Sequence, residues 1–477
     1  MKAPQAQTPC NQQTSSFQAL GSRKVEVDFS GGYLSSDGGS ILLREIDRNH
    51  SFTHQLAQCF TDSRFAPLVE HQLPHLLAQR IHGIALGYED LNDHDELRLD
   101  PLLAALVGKA DPTGADRRLE RDRGKPLAGK STLNRLEWGL AGEAEDDRYR
   151  RIAIDPEAVD RFFVDTFLEA HEEVPEQITL DLDATDDPLH GGQEGRFFHA
   201  YYGGYCYLPL YIFCGSHLLC ARLRQADQDA SAGSVEELER IVAQIRERWP
   251  EVSIRVRADS GFARDGLMSW CEAHDVEYVF GLARNDRLRE LLDPALDEAE
   301  DLCAESGEPE RVFTDLRYRT LKSWSRERRV VGKAEITLRG PNPRFIVTSV
   351  PEDAIDATTL YETVYCARGD MENRIKEQQL CLFADRTSAH LMRVNQIRLW
   401  MSSVAYVLMD ALRRTALAGT EFARAQCSTL RLKLLKIGAR IRISVRRIVC
   451  SLASSFPRQE VFLLAARRLA QARPLAA

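Results

Sequence analysis

The chain has 477 residues, of which 44% are hydrophobic and 28% are charged, and its formal net charge is −9. This length corresponds to about three domains, and the composition is typical of a globular protein. No stretch approaches the roughly 20 apolar residues of a membrane span, and the polar N-terminus contains no apolar signal core, so we expect a cytoplasmic protein rather than a membrane or secreted one.

The N-terminal third is predicted to be mainly helical after a disordered lead-in, residues 1–19, which is polar overall. Residues 20–45 contain alternating segments and Gly-Gly pairs, which predict a short hairpin followed by a helix. Further along, "GKPLAGKS" matches the phosphate-binding pattern GxxxxGK[ST]. No apolar strand precedes Gly124, so the context that a nucleotide-binding loop requires is missing.

From residue 177 the hydrophobic pattern changes to that of a sheet. Three adjacent strands followed by alternating helices and strands predict a mixed α/β sheet with an antiparallel portion. The predicted elements are strands at 178–185, 196–203, 207–215 and 217–224, a helix at 234–248, a strand at 253–259, a helix at 264–274 and a final strand in "VEYVFGLAR".

The remainder of the chain returns to strands at residues 310–349 and then to a long helix over about 361–383. Basic residues are concentrated in "SWSRERRVVGK" and "LRLKLLKIGARIRISVRRIVC". These segments are dense enough to form phosphate-binding surfaces, although solvated helix and strand faces would produce the same pattern.

The segment "ITLDLDATDDP" carries two carboxylates on one face of a predicted strand. Because side chains alternate along a strand, Asp181 and Asp183 point to one side, and Leu180 and Leu182 point to the other. An unpaired buried carboxylate is costly, so these aspartates must be solvated, paired with cations or bound to a metal. A further acid, Asp259, ends the apolar strand "SIRVRA", where ligands bind in open α/β sheets.

A third acid, Glu372, lies in the helical segment "YCARGDMENRIKEQQ". Tyr365, Arg368, Lys376 and Gln379 are spaced so that they share one helix face with it. Two aspartates at strand ends and a glutamate on a later helix suit Mg²⁺, which prefers oxygen ligands and binds together with substrate phosphate. A pair of such ions can catalyse in-line phosphoryl transfer.

The segments "LDLDATDDP", "RADSGF" and "YCARGDMENRIKE" resemble the three acidic blocks of bacterial insertion-sequence transposases of the DDE type, especially insertion-sequence family 1380. "FSGGYLSSDGGSILLREID", "GYEDLNDHDELRLDP" and "LKLLKIGARIRISVRR" also resemble that family, so the similarity extends over nearly the whole chain. It implies a ribonuclease H-like catalytic core, dependence on Mg²⁺ with Mn²⁺ as an alternative, and cutting and joining of DNA at the element's ends.

The resemblance also implies a domain organisation, namely a ribonuclease H-like mixed-sheet core with a β-rich insertion, flanked by helical regions. The expected boundaries are 1–19 for the lead-in, 20–176 for a DNA-end-binding region, 177–285 and 343–400 for the catalytic core, 286–342 for the insertion and 401–477 for a basic C-terminal region.

The family's catalytic, metal-binding acids correspond to Asp183, Asp259 and Glu372, with Asp181 as the rival for the first position. The family's Tyr-x2-Arg-x3-Glu-x6-Lys signature is matched by Tyr365, Arg368 and Glu372, of which Tyr365 and Arg368 would contact DNA. The lysine that ends this signature is replaced by glutamine, and Lys376 could supply the missing charge.

Within the predicted insertion, Trp324 resembles the aromatic residue that stacks on a flipped base near the cleavage site, although simple packing is an equal alternative. Arg326, Arg328 and Arg329 would bind phosphate nearby. The resemblance implies double-stranded DNA as partner, both terminal inverted repeats and target, and a homodimer in the synaptic complex. A nuclease that does not join strands, and an inactive DNA-binding regulator, remain as alternatives.

Overall fold

The computed structural model describes residues 14–139 and 151–472. The strands, in chain order, are β1 (Ser15–Leu20), β2 (Arg23–Val27), β3 (Tyr33–Ser35), β4 (Phe60–Asp62), β5 (Ile152–Ile154), β6 (Gln177–Ala184), β7 (Asp187–Pro188), β8 (Phe197–His199), β9 (Gly204–Tyr207), β10 (Leu210–Cys214), β11 (His217–Arg222), β12 (Ser253–Ala258), β13 (Glu277–Leu282), β14 (Glu310–Tyr318), β15 (Arg328–Thr337), β16 (Gly340–Pro341), β17 (Arg344–Thr348), β18 (Ala439–Ser444) and β19 (Arg447–Leu452).

The α-helices, in chain order, are α1 (Ile41–His50), α2 (Phe52–Gln58), α3 (Leu73–Leu86), α4 (His94–Leu97), α5 (Pro101–Leu106), α6 (Lys130–Glu137), α7 (Pro156–Glu169), α8 (Ser234–Arg248), α9 (Asp265–Ala273), α10 (Asp286–Ser306), α11 (Ala357–Thr359), α12 (Gly369–Leu382), α13 (Met392–Ala411), α14 (Cys427–Leu430) and α15 (Gln459–Gln471). None of the helices in the described parts of the chain is long and apolar enough to cross a membrane.

The chain divides into two compact units. The first comprises the described residues of Met1–Val159, Glu377–Ala384 and Trp400–Ala477, and the second comprises Asp160–Lys376 and Asp385–Leu399. The sequence predicts the N-terminal helical region and the basic C-terminal region as separate domains. In the structure, both contribute to the first unit. The antiparallel pairing of β3 with β18 joins them directly.

The start of the chain differs from the sequence-based prediction. The first 13 residues of the predicted lead-in lie outside the described residues, but Ser15–Leu20 forms strand β1 and pairs with β2. The turn between them is at Gly21, whose φ of +62° suits glycine. The predicted hairpin of β2 with the following strand is wrong, because β2 pairs with the preceding strand, β1, and β3 pairs with β18.

The second unit is built on a nine-stranded mixed sheet with the order β11-β10-β6-β12-β13-β17-β15-β14, and β16 pairs with β15. Strands β6, β12 and β13 are parallel neighbours, and the other pairings are antiparallel, as the sequence predicts for a mixed α/β sheet. Apolar side chains such as Leu180, Leu182 and Val256 are fully buried in its main core. This core holds the strand ends that carry the candidate site.

The predicted β-rich insertion, residues 286–342, begins instead with a 21-residue helix, α10. Its buried residues Leu288, Leu292, Ala295 and Ala299 recur at helical spacing, so one face packs while the acidic face is solvated. The strands that follow continue the main sheet, because β15 pairs with β17 and β14 pairs with β15.

Candidate active site

Two of the three candidate acids lie side by side at the ends of neighbouring parallel strands. In the register of β6 and β12, Leu182 is opposite Ala258, so Asp183 and Asp259 are the next residues of the two strands. Asp259 Oδ1 accepts a hydrogen bond of 2.8 Å from the backbone N–H of Gly261 and so caps the short turn Ser260–Phe262. This placement at the carboxyl ends of strands is typical of ligand sites in α/β sheets.

The third acid is connected to the first through Arg368. One guanidinium nitrogen, Nη2, donates to Glu372 Oε1 at 2.6 Å, and Nη1 lies 3.5 Å from Asp183 Oδ2. Glu372 is in the first turn of α12, four residues after Arg368, which is the spacing of neighbours on a helix face. The arginine therefore bridges the glutamate of the helix and the aspartate of the strand.

The charges at this site alter each other's proton affinity. The net pKa of Asp183 is raised to about 7: burial raises it most, Arg368 acts to lower it, and the negative charges of Asp259 and Glu372 also raise it. Burial acts to lower the pKa of Arg368, but Asp183 and Glu372 outweigh that effect and the net shift is upward. The site thus concentrates negative charge that one arginine only partly compensates, which is what a cation site requires.

The rival aspartate has a different environment. Both carboxylate oxygens of Asp181 accept hydrogen bonds from Arg257, at 2.5 and 2.8 Å. Asp181 is buried, and its partner also donates to the carbonyl of Val364. A bidentate pair of this kind occupies the carboxylate, whereas Asp183 has no such pairing and lies next to Asp259.

Tyr365 lies against strand β13, the neighbour of β12 in the sheet. A side-chain carbon at Gly281 of β13 would lie 2.6 Å from the Tyr365 hydroxyl and 2.9 Å from the backbone nitrogen of Ser260. The absence of a side chain at Gly281 therefore allows Tyr365 to approach the turn that carries Asp259. Sequence reasoning missed Gly281, although an isolated glycine in the apolar strand "VEYVFGLAR" is a recognised sign of close backbone approach.

The sequence predicts one long helix around Tyr365, but the structure divides this segment into three different helical stretches. A π-helical stretch, Leu360–Tyr365, is followed by a 3₁₀ turn, Cys366–Arg368, and α12 begins at Gly369. Such π-helical segments occur frequently at functional sites. Lys376, one turn beyond Glu372, is exposed.

Trp324 does not have the placement expected of a base-stacking residue. Only 4% of it is exposed, and its ring packs edge-on against Tyr318, with the ring centroids 5.7 Å apart. The prediction of stacking on DNA is therefore wrong for this structure, and the alternative of plain packing is correct. The physical reason is that the segment folds back onto the main core, where a large apolar ring is worth more buried than exposed.

The arginines near Trp324 are mostly engaged inside the protein. Arg328 is 3% exposed and bonds Asp265 and Glu272, and Arg329 is 5% exposed and bonds Asp315. These two are structural ion pairs in the described structure, not the phosphate contacts that the sequence predicts. Arg326 is the exception, because its side chain is 59% exposed even though it pairs with Glu272 at 2.5 Å.

The donor chemistry of the site fits a divalent cation in part. Within residues 14–139 and 151–472, no three His, Cys, Asp or Glu side chains are grouped closely enough to hold a metal ion. The adjacent carboxylates of Asp183 and Asp259 are hard oxygen donors, and the pKa of Asp183 is raised by burial and then by the charge of Asp259, which a cation would offset. Glu372 is held by Arg368, so it is the ligand whose position would have to change.

Comparison with known proteins identifies a family for the chain. No curated protein matches the sequence. The family model described as "Transposase DDE domain group 1" matches residues 17–474, which is nearly the whole chain. This family implies an enzyme that cleaves nucleic acid and acts on DNA, and its members generally use divalent metal ions. The chain belongs to the transposase DDE domain family, group 1.

Proposed function

We propose that this protein is a transposase that cuts DNA at the terminal repeats of an insertion sequence and joins the freed ends to target DNA. The observation that carries the proposal is the alignment of Asp183 and Asp259 at neighbouring strand ends, with Glu372 linked to Asp183 through Arg368. These three proposed catalytic acids all lie in one unit of the protein, although Asp183 and Glu372 are separated by more than 180 residues of sequence.

Each residue has a distinct role in the proposed reaction. Asp183, Asp259 and Glu372 would hold the divalent ions, Mg²⁺ or Mn²⁺, and Glu372 would have to leave its ion pair with Arg368 to do so. Bound divalent ions supply Lewis-acid stabilisation of the charge that develops on the phosphate oxygens. Arg368 then neutralises charge on the phosphate, and exposed Lys376 adds to it.

Tyr365 orients this helix against the sheet through its contact at Gly281. Arg326 retains its proposed phosphate contact because its side chain is exposed.

We further propose that residues 20–176 bind the DNA ends with help from residues 401–477. The protein acts as a homodimer that holds two ends. It belongs to insertion-sequence family 1380 and has a ribonuclease H-like core.

Two reactions with the purified full chain and Mg²⁺ test this proposal. The first contains DNA that carries the element's own ends. The second contains pre-cleaved ends and a supercoiled target plasmid. A transposase yields cleaved ends in the first reaction and joined plasmid in the second. Cleavage without joining would identify the alternative nuclease, and binding without cleavage would identify an inactive regulator. The variant Asp259→Asn is the matched control, because products that persist with it would exclude this site as their source.

A further inference from the structure

A hairpin of strands β8 and β9 exposes five large aromatic side chains that the proposed chemistry does not use. They are Phe197, Phe198, Tyr201, Tyr202 and Tyr205, and their exposed fractions range from 36% for Tyr202 to 85% for Tyr201. In the described part of the chain, nine large aromatic side chains are exposed, and five of them lie within these nine consecutive residues. A concentration of exposed apolar surface of this kind marks a binding site.

The hairpin lies next to the catalytic carboxylates. Strand β9 pairs with β7, which begins only four residues after Asp183. The hydroxyl of Tyr202 donates a 3.4 Å hydrogen bond to the carbonyl of Ala184, the residue that directly follows Asp183. Burial raises the pKa of Tyr202, and the negative charges of Asp186 and Asp183 raise it further, in agreement with this proximity.

The rings contact each other mainly through their edges. The centroids of Phe198 and Tyr205 are 5.7 Å apart with the planes at 79°, and those of Tyr201 and Tyr202 are 5.0 Å apart at 86°. In each edge-on pair one ring covers a face of its neighbour, and the remaining ring faces are available for a flat ligand. The guanidinium carbon of Arg196 lies 4.1 Å from the centroid of Tyr205 and adds positive charge to the cluster.

We propose that this aromatic hairpin, residues 196–205, binds unpaired bases of the DNA strand beside the phosphate that is cleaved. The inference rests on the function proposed above, because that function puts DNA at Asp183. Nucleobases present flat π-faces that stack on aromatic side chains whatever their sequence, and Arg196 complements the phosphates between them. A protein partner would use the ring surfaces equally well, but would not account for their position beside the catalytic carboxylates.

The experiment measures DNA binding by fluorescence anisotropy with the full chain carrying Glu372→Gln, without divalent ions, so that no DNA is cut. One probe is a labelled duplex with a six-thymidine single-stranded extension, and the other is the same duplex with blunt ends. The test variants are Phe198→Leu and Tyr201→Leu, which keep an apolar side chain but remove the ring. Both side chains are mostly exposed, so these changes leave the core intact.

We expect each ring-removing variant to lose about fivefold or more in affinity for the extended duplex, and to bind the blunt duplex as the parent does. Tyr201→Phe keeps the ring and serves as the matched control, with unchanged affinity for both probes. A second control, Leu338→Ala, changes an apolar side chain that is 92% exposed elsewhere in the same unit, and it is expected to have no effect.

Two results would overturn the stacking proposal while leaving the transposase proposal intact. One is a parent protein that binds the extended duplex no better than the variants do. The other is a variant that changes the oligomeric state in sedimentation velocity without changing affinity for the extension, because the hairpin would then be an interface between copies. A parent that binds neither probe would instead contradict the proposed function itself.

Discussion

Strands β6 and β12 carry two successive layers of charged side chains, and the layers have opposite environments. In the inner layer, Asp181 faces Arg257 across the two strands and forms a bidentate ion pair with it. In the outer layer, one step towards the strand ends, Asp183 faces Asp259, another acid. The same face of the same two strands thus holds a fully paired carboxylate and a pair of like charges that Arg368 compensates only in part.

The difference between the layers separates structural from functional charge. A buried carboxylate with its own guanidinium needs no further partner, and removing either member leaves a costly unpaired charge. Two carboxylates that face each other at a strand end repel, and burial raises the pKa of Asp183 to about 7. A pair of this kind is typical of sites that bind a cation or a charged substrate, and Arg368 offsets only part of the repulsion here.

The largest expected effect is loss of catalysis from the outer layer. Asp183→Asn or Asp259→Asn should reduce DNA cleavage by about 10³-fold or more, because each removes an oxygen ligand and a charge that act on the transition state. Cleavage rates on DNA with the element's ends provide the measurement, with circular dichroism to verify the fold. Cleavage at the parental rate by either variant would assign the chemistry to other residues.

Substitutions in the inner layer should lower the free energy of unfolding of the protein. We expect Asp181→Asn to destabilise the protein by about 3–5 kcal/mol, because Arg257 is left buried without its counter-charge. The measurement is urea unfolding followed by tryptophan fluorescence. The double variant Asp181→Leu with Arg257→Met is the control, since it removes both charges and should recover most of the loss; equal destabilisation by single and double variants would show that the pair is not the cause.

The contact between Gly281 and Tyr365 should have a smaller effect. Gly281→Ala places a methyl group 2.6 Å from the tyrosine hydroxyl, and we expect a loss of about 1–3 kcal/mol together with reduced cleavage. Gly266→Ala in α9 is the matched control, because a methyl group there meets no atom within 4 Å. Thermal melting and the cleavage rate, measured on both variants, test this; similar results for the two would remove Gly281 from the site.

The smallest expected effect is a pH dependence of stability without metal. The pKa of Asp183 rises from 3.8 to about 7 in the fold, so the folded state binds more protons than the unfolded state between these values. Stability from this group is therefore complete below about pH 4 and is lost as pH rises through 7. Asp183→Asn should melt with the parent at pH 4 and at least about 2 °C above it at pH 8.

Calorimetry at both pH values measures this difference. The variant Asp181→Asn is the informative comparison, because it lowers the melting temperature by removing a paired charge instead of raising it. A melting temperature for Asp183→Asn that is not higher than the parent's at pH 8 would contradict the partly compensated environment of the outer layer.

Sequence periodicity predicts much of the second unit well. The helix expected at 234–248 is observed as Ser234–Arg248, and the strand expected at 253–259 is observed as Ser253–Ala258. Alternation within "ITLDLDATDDP" also predicts that Asp181 and Asp183 share a face. Local patterns succeed here because each element buries one set of regularly spaced apolar side chains against the same core.

The sequence-based predictions that fail concern side chains whose environment depends on residues distant in the chain. The burial of Trp324 and Arg328 follows from partners such as Tyr318 and Glu272, whose proximity no local pattern reveals. The contact at Gly281 and the exposure of the aromatic hairpin likewise arise only after the chain has folded. Composition and motif identify which residue types are present, but tertiary contacts determine whether a side chain packs, pairs or faces solvent.

Residue type and short-range spacing are enough to predict the chain order of most sheet-forming segments, the DDE family and the three acidic motifs. The tertiary structure alone distinguishes the environments of Asp181 and Asp183, since the two have the same spacing, the same strand face and the same chemistry. The distinction lies in what each one meets on or just past the neighbouring strand. Arg257 of β12 neutralises Asp181, whereas Asp183 lies beside a second acid, Asp259, and Arg368 offsets only part of that charge.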